Sequence, residues 1–201
     1  MNILAHGYLS ARKDGLLIGN FIGDFIKGNP AHPRHKLTLH EVAGVRLHRE
    51  IDTFTDAHPD VAAVRELLHP RCHKYAGVAV DVFFDHFLAR NFDQLTGESL
   101  PDFTRYFYSA LQRLSPRFPT PAARMLHALV RYDWVMGYQT TEGIDQSLKG
   151  ISRRTAFPSG LDTAIIDLVL YYDQIGEHFM HFWPELVDHV EQIRIQLSKA
   201  E

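Results

Sequence analysis

The chain has 201 residues, 45% of them apolar and 22% charged, and a formal net charge of −3. That length and balance suit a single globular domain over 1–201 with a sizeable core, and they exclude a disordered or fibrous chain. The lone cysteine, Cys72, excludes an intrachain disulfide and points to a reducing cytoplasm, and no apolar run approaches the ~18 residues of a membrane-spanning helix.

The first strong helical period runs from Asp14 to Lys27, "DGLLIGNFIGDFIK", with Leu17, Phe21 and Ile22 on one stripe and Phe25 beside it. Gly28, Pro30 and Pro33 end it. Thr38 and Glu41 have the spacing of a capping box, so a helix opens there and carries Val42, Val45, His48, Ile51 and Asp52. "HPD" at 58–60 restarts the chain, with Pro59 suited to a first turn. A long helix covers roughly 75–92, "YAGVAVDVFFDHFLARNF". Pro101 opens another through Leu114, and Thr120-Pro121 opens the next through Tyr138. A short helix around Ile144 to Leu148 leads to "SRR", and a final long one spans Leu161 to Leu197, bent or broken near Pro184. Period-two alternation never persists, and no Asn-Gly or Asp-Gly joins two β-branched runs. The pattern predicts an all-α domain of seven to nine helices.

Most of these apolar faces are interrupted by acids and histidines. Asp24 lies between Phe21 and Phe25; Asp81 and Asp85 lie one turn apart among Val, Ala and Phe, with His86 next to Asp85. Burying a lone carboxylate costs several kcal/mol unless it is paired or bound to a cation. A divalent metal gives these residues a common explanation. His48 and Asp52 share a helix face at i, i+4, as do Asp81 and Asp85, so each pair can aim two side chains at one point. Asp85 and His86 are about 100° apart round the helix, so only one of them can point straight at such a centre. Carboxylate and imidazole donors without a thiolate cluster suit manganese, iron, zinc or magnesium.

Plainer readings stand beside this one. His48 and Asp52 can form an ion pair, Asp24 can cap a helix, and Asp81 can pair with Arg90 or Lys74. His32, His35, His40, His58 and His69 fall in loops or at helix ends and read as solvated. Gly19, Gly23 and Gly28 read as close-packing points, because their spacing matches no nucleotide-binding fingerprint.

Five ordered blocks carry a resemblance: "NILAH" at 2–6, "GNFIGDFIKG" at 19–28, "HREIDTFTD" at 48–56, "DVFFDHFL" at 81–88 and "SRR" at 152–154. Together they resemble the acyl carrier protein phosphodiesterase family, and the aromatic "EHFMHFWPEL" extends the likeness over most of the chain. The resemblance implies an all-helical fold distantly related to the HD phosphohydrolases, and a divalent metal cofactor: manganese first, with magnesium or iron as alternatives. It implies hydrolysis of the phosphodiester joining 4′-phosphopantetheine to a serine of holo-acyl carrier protein, which is the expected partner. The family's blocks fall on His6, Asp24, His48, Asp52, Asp81, Asp85 and His86. The adjacent pair here is Asp85-His86, the reverse of the His-Asp order that names the HD enzymes.

On this expectation the metal ligands come from Asp24, His48, Asp52, Asp85 and His86, with Asp81 behind them. Arg49 stabilises charge on the phosphoryl oxygens, or else pairs with Asp52 or Glu50. His6 protonates the departing serine oxygen, or else is a buried, hydrogen-bonded histidine. Acyl carrier proteins are small and acidic, so Lys27, Arg34, Lys36, Arg46, Arg153 and Arg154 are candidates for a positive docking rim. Two rivals stay open: an HD-type phosphohydrolase acting on nucleotides, and a non-catalytic helical interaction module. The negative total charge and the lack of a basic stripe with interleaved aromatics argue against nucleic acid as a partner.

Overall fold

The computed structural model describes residues 3–199, and among them every regular element is a helix. Helix α1 (Ile3–Leu9) and helix α2 (Asp14–Ile22), the latter prolonged by a 3-10 turn at Gly23–Phe25, precede α3 (Leu39–Ala57). The sequence pattern did not predict α1. Its first turn is capped from far along the chain, the Asp85 carboxylate accepting from the backbone N–H of Leu4 at 2.8 Å and of Ala5 at 3.3 Å. Helix α3 opens on the expected capping box: Thr38 Oγ1 accepts from the Glu41 N–H, and the Glu41 carboxylate accepts from the Thr38 N–H at 2.7 Å.

Helix α2 lies closer to α3 than most side chains would permit. A Cβ on Gly19 would stand 2.1 Å from the Glu41 carbonyl oxygen and 2.6 Å from the Val45 nitrogen. A Cβ on Gly23 would stand 2.3 Å from Cγ of His48. These two glycines are the close-packing points their spacing suggested, and they bring the end of α2 onto one ring of α3.

His58 caps α4 (Pro59–Cys72) with Pro59 in its first turn. It is nonetheless buried rather than solvated: its Nδ1 accepts from the Asp60 N–H at 3.2 Å, and its Nε2 lies 3.2 Å from the Glu185 carboxylate. Helix α5 (Ala76–Arg90) is buried without a break from Val82 to Ala89, the behaviour of a helix apolar on all faces. The chain continues through α6 (Phe92–Thr96), α7 (Leu100–Leu114), α8 (Thr120–Arg131), α9 (Trp134–Gly137), α10 (Thr141–Ser152), α11 (Ile165–Leu170) and α12 (Tyr172–Lys199). Helix α5 contacts α1, α4, α10 and α12, and Phe84 packs on Phe179 and Phe182 of α12 at ring separations of 5.5 and 5.2 Å. Its aromatic packing fixes α5 in register, so Asp81 and Asp85 keep a common face towards α1.

Two boundaries differ from the sequence pattern. The helix expected through Tyr138 stops at Arg131, just before Asp133, whose φ of 46° is left-handed and whose carboxylate accepts from the Tyr108 hydroxyl at 2.9 Å. The final helix breaks at Tyr171 and not at Pro184, which lies inside an unbroken α12. Pro184 and Met180 are both exposed, so the proline sits on the solvent side of the helix, where the loss of one backbone hydrogen bond costs least. No helix of the described residues is long and apolar enough to cross a membrane.

Candidate metal centre

Three elements converge at one point. Helix α1 supplies His6, the 3-10 turn after α2 supplies Asp24, and α3 supplies His48 and Asp52 one turn apart. His6 Nε2 lies 3.2 Å from Asp52 Oδ1; His48 Nε2 lies 3.2 Å from Asp52 Oδ2 and 3.4 Å from Asp24 Oδ1. The two imidazole rings are 4.5 Å apart. One ligand atom from each of His6, His48 and Asp52 lies within 4.8 Å of the others, so these three can hold a metal ion. Both histidines are buried, Asp52 is half-buried, and the Asp24 side chain is 81% exposed. Asp24 is therefore not the buried carboxylate its apolar neighbours suggested: the 3-10 turn swings it out to the edge of the site.

The electrostatics suit a cation. Burial pushes the His6 imidazole below the usual histidine range, and the neighbouring His48 adds to this against the opposing effect of the Asp52 carboxylate. Hydrogen bonding to His48 holds the Asp24 carboxyl below the usual carboxylate range. For Asp52, burial works against the charged form, but the neighbouring His6 and His48 imidazoles outweigh it, and its carboxyl is also held low. Near neutral pH two carboxylates thus face a neutral His6 and the Nε2 of His48. An oxygen-and-imidazole donor set of this kind, with no thiolate, matches a hard-to-borderline divalent ion.

The other predicted residues are distributed around this centre. Asp81 lines the same cleft, and burial, with the Asp52 charge added, raises its carboxyl above the usual range. Asp85 and His86 are not brought to the centre. Asp85 is fully buried as the cap of α1, and His86 is fully buried with Nδ1 2.7 Å from the Tyr138 carbonyl oxygen and Nε2 2.9 Å from the Tyr172 hydroxyl. Both belong to the frame that carries His6, His48 and Asp52. Arg49 is committed to backbone, its guanidinium donating to the carbonyls of Ile26 at 2.9 Å and Gly28 at 2.8 Å, which ties the segment after Asp24 to α3.

His6, Asp24, His48 and Asp52 line a cleft of about 800 Å³. Trp134, Arg153 and Arg154, from α9 and the end of α10, line the same cleft, and the Arg154 guanidinium lies 6.0 Å from the Trp134 ring. Both arginines are exposed. Lys27 and Arg46 are exposed as well, outside the residues that line the cleft. Sequence reasoning missed Asn20, which is buried and bonded to His6 through Oδ1 at 2.6 Å from Nδ1. Its one signal was a neutral polar side chain inside the apolar run from Leu16 to Ile22.

The profile of the family described as acyl carrier protein phosphodiesterase matches residues 1–186, which takes in every candidate site residue named above. The chain belongs to that family. Relatives named acyl carrier protein phosphodiesterase include one from Enterobacter sp. (strain 638), 33% identical over 93% of this chain and 96% of its own. Another, from Photorhabdus laumondii, is 32% identical over 95% of this chain and 96% of its own, and one from Escherichia coli O6:H1 is 31% identical over 94% and 96%. No solved structure matches.

Proposed function

We propose that the chain is a divalent-metal-dependent phosphodiesterase that removes 4′-phosphopantetheine from the serine of holo-acyl carrier protein and leaves the apo-carrier. The convergence of His6, His48 and Asp52 in a cleft also lined by Trp134, Arg153 and Arg154 carries this reading. The names of its relatives supply the substrate. His6, His48 and Asp52 hold the ion, with Asp24 reaching in from the exposed side; manganese is proposed, with magnesium or iron as alternatives. When bound, such an ion would polarise phosphoryl oxygens and lower the pKa of a bound water to about 7. The residues of the chain do the rest. Asp81, whose carboxyl burial raises, is the cleft group suited to hold a proton for the departing serine oxygen, a role that membership of the ligand set takes from His6. Arg49 holds the turn that presents Asp24, and Arg153 and Arg154 face the acidic carrier. A reducing cytoplasm, consistent with the buried free thiol of Cys72, is the proposed setting.

The test is to incubate the Mn²⁺-loaded chain with holo-acyl carrier protein and follow the carrier's intact mass. The expected result is conversion to the apo mass, abolished by chelator and by Asp52→Ala. Turnover of nucleotides with an unchanged carrier would replace this reading with the nucleotide phosphohydrolase. Full activity after complete metal removal would sink the metal centre.

A further inference from the structure

We propose that Asn20 is a positioning residue: it fixes His6 as the Nδ1–H tautomer, so that the unprotonated Nε2 faces the metal centre before any ion arrives. For its consequence on ion binding the inference rests on the metal centre proposed above.

A buried three-residue network permits a single arrangement of protons. The Ser10 hydroxyl donates to the His6 carbonyl oxygen at 2.9 Å. The Asn20 amide nitrogen donates to the same carbonyl at 2.8 Å and to Ser10 Oγ at 3.1 Å. With its hydrogen used on the carbonyl, Ser10 Oγ is free to accept. Turning the amide over would set the Asn20 oxygen against the His6 carbonyl oxygen, two acceptors face to face. The amide oxygen must therefore be the atom 2.6 Å from His6 Nδ1, and Nδ1 must be the donor. Asn20 is 1% exposed and Ser10 0%, so water does not compete for these bonds.

The consequence lies across the ring. A neutral imidazole with its proton on Nδ1 turns a lone pair towards Asp52 Oδ1 at 3.2 Å. Two electron-rich atoms at that distance are brought together favourably by a cation between them. His48 is the contrast: its Nδ1 is buried without a hydrogen-bond partner among the described residues, so none of them selects its tautomer from that side. Pre-setting the ligand nitrogen and ring angle at His6 removes a rearrangement that ion binding would otherwise need.

Long-range ¹H–¹⁵N spectra of the full-length apo chain, with His6 assigned by its loss in His6→Gln, read the tautomer directly. The expected pattern is a protonated Nδ1 and an unprotonated Nε2; the reverse pattern in the wild type overturns the proposal without any appeal to a variant. Asn20→Leu is expected to mix the tautomers and to weaken Mn²⁺ binding, followed by electron paramagnetic resonance, by about 10–100-fold. Asn20→Asp keeps an acceptor at Nδ1 and is expected to restore the tautomer and most of the affinity. An Asn20→Leu chain that is folded by circular dichroism, with the tautomer and affinity of the wild type, also overturns the proposal, as does a wild type that binds no divalent ion. Neither readout involves the carrier. A chain with the expected tautomer and ion affinity that leaves holo-carrier intact would therefore sink the activity and keep the role of Asn20.

Discussion

His86 and His6 are both buried, and both are held below the ordinary imidazole pKa, chiefly by burial. Below about pH 6.5 the unfolded chain takes up protons that these rings resist in the folded state, so stability falls as the pH drops below that value. The slope is at most about 1.4 kcal/mol per pH unit for each ring. His86 can be tested alone because its partners, the Tyr138 carbonyl and the Tyr172 hydroxyl, lie in the frame and not at the centre. His86→Phe leaves a buried carbonyl unsatisfied and is expected to lower stability at pH 7 by about 1–3 kcal/mol. It should also flatten the loss of stability between pH 7 and pH 5, since one titrating ring is gone. Urea unfolding at pH 7, 6 and 5 measures both, and an acid limb as steep as that of the wild type would assign the effect to other groups. The same residue marks how far single positions were legible. A polar side chain inside an apolar helix announces that it has a partner, and Asp52, His48, Asp85 and His86 all do. Which partner is a tertiary fact: Asp52 meets His6 from α1, whereas Asp85 meets the backbone of α1. The i, i+4 spacing of His48 and Asp52 was legible because one helix fixes it; the convergence with His6 and Asp24 was not.

At the scale of elements, the contact between α2 and α3 decides whether Asp24 and His48 can meet. Gly19→Ala places a methyl 2.1 Å from a backbone oxygen, which no rotamer change can relieve. It is expected to destabilise by about 1–3 kcal/mol or more through overpacking. It should also weaken Mn²⁺ binding, because separating the helices separates their ligands. Gly77→Ala is the control: the nearest atom to its Cβ is Arg65 Nε at 3.8 Å, and α5 gains a better helix former, so stability should rise by up to about 1 kcal/mol. Thermal unfolding separates the two, a change of 1 kcal/mol moving Tm by about 2–4 °C in a chain of this size. Equal and small effects from both would deny the close approach its role. Element boundaries were legible where local chemistry writes them, at the Thr38–Glu41 box, at His58-Pro59 and at the prolines opening α7 and α8. They were not legible where the tertiary structure imposes them. Helix α1 depends on a cap 81 residues away, Asp133 turns left-handed where Tyr108 takes hold of it, and Pro184 breaks nothing because it faces water.

For the whole molecule the question is how a chain with a net charge of −3 meets an acidic protein. On average the two repel, so encounter must be governed by local field rather than total charge. Arg153 and Arg154 are placed for this, since they are exposed, adjacent, and on the wall of the cleft that His6, His48 and Asp52 also line. Reversing both charges, with Arg153→Glu and Arg154→Glu together, should leave the ligands of the centre in place and remove the attraction that guides the carrier. The expected result at low salt is a fall in kcat/KM for holo-acyl carrier protein of about 10-fold or more, carried mainly by KM. The deficit should shrink as ionic strength rises, because the Debye length contracts from about 30 Å at 0.01 M to about 10 Å at 0.1 M. Hydrolysis of a small phosphodiester, which needs no protein docking, should fall far less. The ratio between the two substrates is the measurement that matters. If the double variant loses both activities in equal proportion at every salt concentration, the arginines act on the phosphoryl group or on the shape of the cleft, and the acidic carrier is steered by some other surface.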